Sequence, residues 1–215
     1  EIYQQLNQIA GQFAGENVEL NQLRALAQTG ALINSSLDID TVLNEVMDTV
    51  ISLTGAERGY IVLRDEQTGE MQFRIARNLD RETITKGSFI VSRTIVEEVA
   101  RTGEPVVTTN AQSDPRFSGQ ESVMIHALRS ILCVPLVVRG TITGVVYADN
   151  RIRDGLFGDQ ELSLLLTFAN QAAIAIENAR LFKHVLSTLA EVTETKELID
   201  NIFASIASGV ITTDI

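Results

Sequence analysis

In the last third of the chain the apolar residues change their spacing partway through one long run. From Leu162 to Ile176 (LSLLLTFANQAAIAI) they fall on every side, the pattern of a helix covered on two surfaces at once. From Ala175 onward they thin to a seam with alternating three- and four-residue steps: Ala175, Asn178, Phe182, Val185, Leu189, Val192, Lys196, Ile199, Phe203 and Ile206. A mean step of about 3.5 residues is the signature of a left-handed coiled coil. No proline interrupts residues 158–206, and no glycine lies between Gly158 and Gly209. The pattern therefore predicts one continuous helix reaching roughly 70 Å. A domain of this size needs no rod that long, so the helix is expected to leave the domain, pair with a partner and carry something onward.

The first thirty residues repeat the rhythm at Ile2, Leu6, Ile9, Phe13, Glu16, Leu20, Leu23 and Ala27. Gly11 and Gly15 each cost a helix about 1 kcal/mol against alanine and mark a place for a break. Seams at both ends predict that both termini lie in one dimer interface. Next, Val42, Leu43, Val46, Val50 and Ile51 share one face of a helix over 39–53, with Asp38 as N-cap and Gly55 as stop. RGYIVLRD (58–65) and MQFRIAR (71–77) alternate around a short Gly-containing turn and read as a β-hairpin. Residues 78–92 show no regular pattern. Ser92 opens a short helix over 93–101, stopped by Gly103, and 104–109 reads as a strand. A polar loop then leads to a weak helix near 121–128. A last hairpin, 130–139 and 141–149, turns at Gly140, and 150–157 loops into the long helix. Helices at both ends of an antiparallel sheet make an α+β domain.

One face of strand 141–149 carries Ile142, Gly144, Val146 and Ala148. Their small members are expected to let the long helix approach through Ala169, Ala172, Ala173 and Ala175. The other face, Thr143, Val145, Tyr147 and Asp149, is the candidate lining of a ligand cavity beneath loops 78–128.

Composition narrows the function. The net charge of −11 argues against nucleic acid and anionic lipid as partners. No apolar run is long enough to cross a bilayer, and no signal-peptide pattern is present, so a cytoplasmic location is expected. A single cysteine, Cys133, excludes an internal disulfide and a cysteine-rich metal site. Because the chain opens at Glu1 and closes inside the strand-like VITTDI, it reads as a piece of a longer protein.

The string RSILCVPLVVRGTITGVVYADNR, then Phe157, then DQELSLLLTFANQAAIAIENARLF, strongly resembles GAF domains of bacterial signalling proteins. GAERGYIVLRD and GEPVVTTNAQSDPRF fit the same pattern in the same order. The resemblance spans about residues 36–183. It implies a central antiparallel sheet flanked by helices, with a pocket under loops on one side. The run from Leu186 resembles the signalling helices that follow GAF domains, and NIFASIASGVITTDI (201–215) resembles the start of a PAS domain. The expected division is a coiled-coil or linker helix over 1–33, a GAF domain over 34–183, a signalling helix over 184–206 and a truncated PAS-like start over 207–215.

The resemblance names no ligand or cofactor. Bilin-attaching members need a cysteine ahead of the last hairpin, whereas Cys133 sits inside a strand as a packing residue. Cyclic-nucleotide types carry an Asn-Lys…Phe-x-x-x-Asp-Glu pattern. Here Asn150, Arg151, Phe157 and Glu161-Leu162 stand in those places, with Arg for Lys and Glu-Leu for Asp-Glu.

Candidate ligand-binding residues are Arg74, Ser92, Arg93, Thr94, Asn110, His126, Arg129, Tyr147 and Asp149. Ser92 and Thr94 suit either an anion at a helix N-terminus or a simple cap. Arg74 and Arg129 suit either a bound phosphate or carboxylate, or a structural ion pair. His126 can line a pocket or serve as a structural histidine, and His184 reads as a solvated helix position. Neither phosphate-loop pattern is present, nor G-x-S-x-G, nor H-E-x-x-H, so no catalytic constellation is expected. The expected interface residues are Ile2, Leu6, Ile9, Phe13, Leu20, Leu23, Phe182, Val185, Leu189, Val192, Ile199 and Phe203. The reading is a homodimeric sensory module with a small-molecule, anionic ligand. It passes a signal to an output domain, most simply the kinase of a two-component sensor histidine kinase. The alternatives are a structural dimerisation module with a vestigial pocket, and the regulatory domain of a nucleotide or diguanylate cyclase. One cysteine excludes a methionine-sulfoxide reductase, which needs several.

Overall fold

The computed structural model describes residues 36–80, 82–83, 91–117 and 128–210. The expected N-terminal seam, most of the weak helix near 121–128 and His126 lie outside the described residues. Helix α1 (Ile39–Thr54) starts where Asp38 Oδ1 accepts the Thr41 N–H and hydroxyl, both at 2.7 Å. It ends where Gly55, at φ 65°, donates to Ile51 O. Strands β1 (Arg58–Arg64) and β2 (Met71–Asn78) form the first hairpin. Asp65 Oδ1 closes its turn by accepting from the amides of Gln67 and Thr68. Helix α2 (Arg93–Thr102) stops at Gly103, φ 75°. Strands β3 (Val106–Thr108), β4 (Ser130–Val138) and β5 (Thr141–Asn150) complete an antiparallel sheet in the order β2-β1-β5-β4-β3. Helix α3 (Asp159–Val210) follows, about 78 Å long and continuing past the expected end at Ile206.

The sheet separates two cores. On one side α1 and α3 pack over Ile61, Leu132, Val134, Leu136, Val146 and Ala148, with the α3 alanines 169, 172, 173 and 175 fully buried as expected. On the other, α2 covers Tyr60, Val62, Ile131, Cys133, Val145 and Tyr147. The role expected of Gly144 needs correction. A β-carbon there would meet Val62 O at 2.5 Å and Leu63 Cδ2 at 2.8 Å, so its small size serves the neighbouring strand and not α3. The glycine that admits a helix is Gly59, where a β-carbon would meet Met47 Sδ of α1 at 3.1 Å.

Candidate functional site

Period-two alternation places Arg58, Tyr60 and Val62 of β1, Ile131 and Cys133 of β4, and Val145, Tyr147 and Asp149 of β5 on the face covered by α2. Tyr60 and Tyr147 stand opposite one another in register, with ring centroids 5.9 Å apart and edge-to-face. Tyr60 makes a second edge contact with Phe73 at 6.5 Å. Among the described residues this face is packed with side chains. Burial and the adjacent Asp149 charge push the Tyr147 hydroxyl up, while the Ser92 backbone amide draws it partly back.

Arg58 and Asp149 are also directly opposed, and both are buried. Arg58 Nε donates to Oδ1 at 2.8 Å and Nη2 to Oδ2 at 2.9 Å, a bidentate pair. Burial pushes the Asp149 carboxyl up to about 7, although Arg58 pulls the other way. Just outside, Glu57 N–H donates to Asp149 O at 3.0 Å, and Glu57 accepts from Arg151 N and Nε, both at 2.9 Å. Burial opposes the Glu57 charge, but the Arg151 hydrogen bonds prevail and hold its carboxyl low.

Residues 151–156 form a strap from β5 to α3. Asn150 Oδ1 accepts the amides of Ile152 (2.8 Å) and Arg153 (2.7 Å). Ser130 Oγ donates to Arg153 O and accepts from Leu156 N. Gly155 N–H reaches Thr109 O at 2.8 Å. Phe157 is fully buried in the α1/α3 core. Gly158 N–H donates to Glu161 Oε2 at 2.9 Å, the returning half of a capping box. Three of the positions compared with the Asn-Lys…Phe-x-x-x-Asp-Glu pattern, Asn150, Arg151 and Glu161, are thus engaged within the strap and its flanks.

The candidate ligand residues do not form one cluster. Ser92 is buried at the N-cap position of α2, although its side chain does not cap the helix, and Arg93 and Thr94 are exposed on the first turn. Arg129 pairs with Asp154 at 2.9 Å on the surface. Asn110 Oδ1 accepts from the amides of Gln112 and Ser113, and the residue lines a shallow cleft of about 280 Å³ beside Arg116 and Asp159. Arg74 lies across the sheet from Tyr147, in a groove with Ile39, Arg180 and Lys183. Among the described candidates, only Tyr147, Asp149 and Ser92 share the buried face. Sequence reasoning missed Arg58, Glu57 and Ser130. For Arg58 a signal existed, since it has the same strand parity as Tyr60.

Along α3, every residue from 181 to 206 is exposed. Phe182, Val185, Leu189, Val192, Ile199, Phe203 and Ile206 are 39–67% exposed and form an unpaired apolar line. No described helix is long and apolar enough to cross a membrane. Among the described residues, no group of three or more His, Cys, Asp or Glu residues could hold a metal ion.

The family model described as "GAF domain" matches residues 36–177. The chain is 28% identical over 165 residues, 72% of its length, to the "Probable 3',5'-cyclic phosphodiesterase pde-5" of Caenorhabditis elegans. It is 33% identical over 96 residues, 45% of its length, to the "Hybrid signal transduction histidine kinase G" of Dictyostelium discoideum. It spans only 22% and 3% of those two relatives. The crystal structure of the GAF domain from Acinetobacter phosphoenolpyruvate-protein phosphotransferase shares the fold, with a TM-score of 0.57 at 22% identity, covering 77% of this chain and 96% of that one. The model match across both cores and the sheet establishes that the chain belongs to the GAF family, regulatory and non-catalytic sensor modules of kinases, phosphodiesterases and cyclases.

Proposed function

We propose that this chain is a ligand-sensing, dimerising GAF module that relays a change along α3 to a following output domain, in a sensor histidine kinase. The observation that carries this reading is the exposed seam of α3, which continues the buried helix without a break. Within one chain nothing described covers that seam, and a second parallel copy satisfies its 3.5-residue repeat. Lys196 at a seam position weakens the pairing but fixes its register. The likeness to a histidine kinase and to a cyclic-nucleotide phosphodiesterase supports an enzymatic output, and the resemblance of 201–215 to a PAS start favours the kinase. The ligand of this reading binds on the Tyr147 face, beside Ser92.

Deletions in the parent protein test the relay. Removing seven residues, Thr188–Glu194, keeps the heptad phase, whereas removing Glu191–Glu194 rotates the downstream domain by about 50° relative to the seam. The first is expected to keep regulated output and the second to lock it. Equal regulation in both would sink the helix-phase relay.

A second reading, a dimerisation module without a ligand, draws on the dense packing of Tyr60, Phe73 and Tyr147 on the candidate face. Thermal-shift screening of nucleotides and small carboxylates separates the two. A ligand that raises the melting temperature favours the sensor.

A further inference from the structure

Two arginines suited either an anion or a structural ion pair. Arg129 has its acid, Asp154, whereas Arg74 makes no ion pair or hydrogen bond among the described residues. Arg74 also breaks the register of its strand. Ile61 pairs with Ile75 and Val62 with Phe73, so Arg74 is the extra residue of a bulge on the edge strand β2. Phe73 turns to Tyr60 on the α2 side, while Ile75 joins the α1/α3 core. The bulge thereby leaves Arg74 on the α1/α3 side, at a groove between the first hairpin and α3.

The buried side chains of Ile39 and Leu63 give the groove an apolar floor. Arg180 and Lys183 line it from α3, three residues apart and so on one side of the helix. Arg180 is fixed in place: Nη2 donates to Arg64 O at 3.1 Å, and Nε meets Glu66 Oε1 at 3.0 Å. Lys183, like Arg74, is exposed and makes no ion pair or hydrogen bond among the described residues. The acids nearby are engaged elsewhere. Asp65, which lines the groove, accepts from the amides of its own turn, and Asp38, within the field of Lys183, caps α1 through Thr41. With 28 acids to 17 lysines and arginines in the chain, a cation seldom lacks a partner for want of acids. This groove has two such cations.

Its volume is about 80 Å³, room for a few waters or one tetrahedral oxyanion. Cavities that enclose drug-sized ligands start at about 300 Å³, so only a charged head fits. A phosphate, with a charge near −2, matches two unpaired cations better than a carboxylate does.

We infer that the groove binds a phosphate group, held between Arg74 and Lys183 with Arg180 beside them. The site lies across the sheet from the Tyr147 face and is separate from any ligand there. Arg180 and Lys183 sit off the Phe182–Val185 seam, so the groove stays open in the dimer proposed above. Lys183 comes four residues after Ala179, the last buried residue of α3. A bound phosphate therefore ties the edge strand to the first exposed turn of the rod. An effect of that tie on output rests on the relay proposed above; the site itself does not.

The test follows the Arg74 Nε–H and Lys183 Cε–H resonances of the full chain during titration with inorganic phosphate, with chloride at equal ionic strength as control. Both signals are expected to shift and to saturate in the millimolar range. Arg74→Gln should weaken the Lys183 response about tenfold, the loss expected for one charge-assisted hydrogen bond. Arg129→Gln, at a cation already paired, should leave it unchanged. Adenosine and uridine monophosphates separate the sources. Affinities equal to that of inorganic phosphate support a site for the phosphate head alone, and a tighter, base-dependent affinity supports the same site filled by a nucleotide. A linear response that chloride reproduces, or a saturation unchanged in Arg74→Gln, overturns the proposal. Should Arg74→Gln fail to fold, Lys183→Gln read at Arg74 replaces it, with the same outcomes deciding.

Discussion

A methyl group added at Gly144 would sit 2.5 Å from the carbonyl oxygen of Val62, closer than any real contact of that kind. The clash is with backbone, which cannot rotate away, so β1 and β5 must separate to admit it. Gly144→Ala is therefore expected to destabilise the domain by about 1–3 kcal/mol. Gly140→Ala, at a turn with φ 81° but open space around it, tests backbone strain alone. Urea unfolding of the two variants separates packing from strain.

The Arg58–Asp149 pair makes its own demand on stability. Arg58→Met leaves Asp149 buried without its partner and is expected to cost about 3–5 kcal/mol. Replacing both, by Met and Leu, is expected to cost far less. Burial pushes the Asp149 carboxyl above its ordinary value against the pull of Arg58, so the folded protein is expected to keep a proton there at higher pH than the unfolded chain, which releases it near pH 4. The stability contributed by this group is thus full below about pH 4 and declines as pH rises to about 7. Arg58→Met, lacking the guanidinium that favours the charge, should lose more against wild type at pH 8 than at pH 6. Denaturant midpoints at the two pH values check the sign.

Leu189 and Val192 are 60% and 59% exposed and touch no core of their own chain. Leu189→Glu with Val192→Glu is expected to leave the melting of the sheet domain intact while converting a dimer to a monomer. Sedimentation at micromolar concentration reads the outcome. A double variant that stays dimeric places the interface elsewhere.

Cys133 is fully buried, and burial alone pushes its thiol far above the usual range. A thiol reagent is expected to leave the folded protein unlabelled for as long as it stays folded, and to react with one equivalent after denaturation. Stoichiometric labelling under native conditions would contradict the packing role.

The fold was legible where local signals agreed. Asp38 and Gly55 bracket α1, and the turn EQTGE sets the first hairpin. The change of apolar spacing that begins at Ala175 comes just before α3 leaves the core, whose last buried α3 residue is Ala179. The packing of α3 against the α1 side followed from its alanines. The site was less legible, because its geometry depends on partners far apart in sequence. Arg58 and Asp149 meet only through the β1–β5 register, 91 residues apart. Ser130 holds the strap through its hydroxyl, which no periodicity reveals. Arg74 looked like a companion of Arg129 by residue type, but β2 carries it to the other side of the sheet, in a groove with Arg180 and Lys183.

The parallel pairing of α3 is the claim on which the sensor reading stands. Nitroxide labels at Lys183→Cys and, separately, Ala204→Cys read it directly, since both sites are exposed and Cys133 is buried. The two sites lie about 30 Å apart along the helix. In a parallel, in-register dimer each label faces its own copy with no axial offset, so both variants are expected to give short and similar inter-chain distances. Any antiparallel arrangement sets at least one of the two pairs about 30 Å or more apart along the axis. A long distance in either variant, or no dipolar coupling in both, would contradict the account.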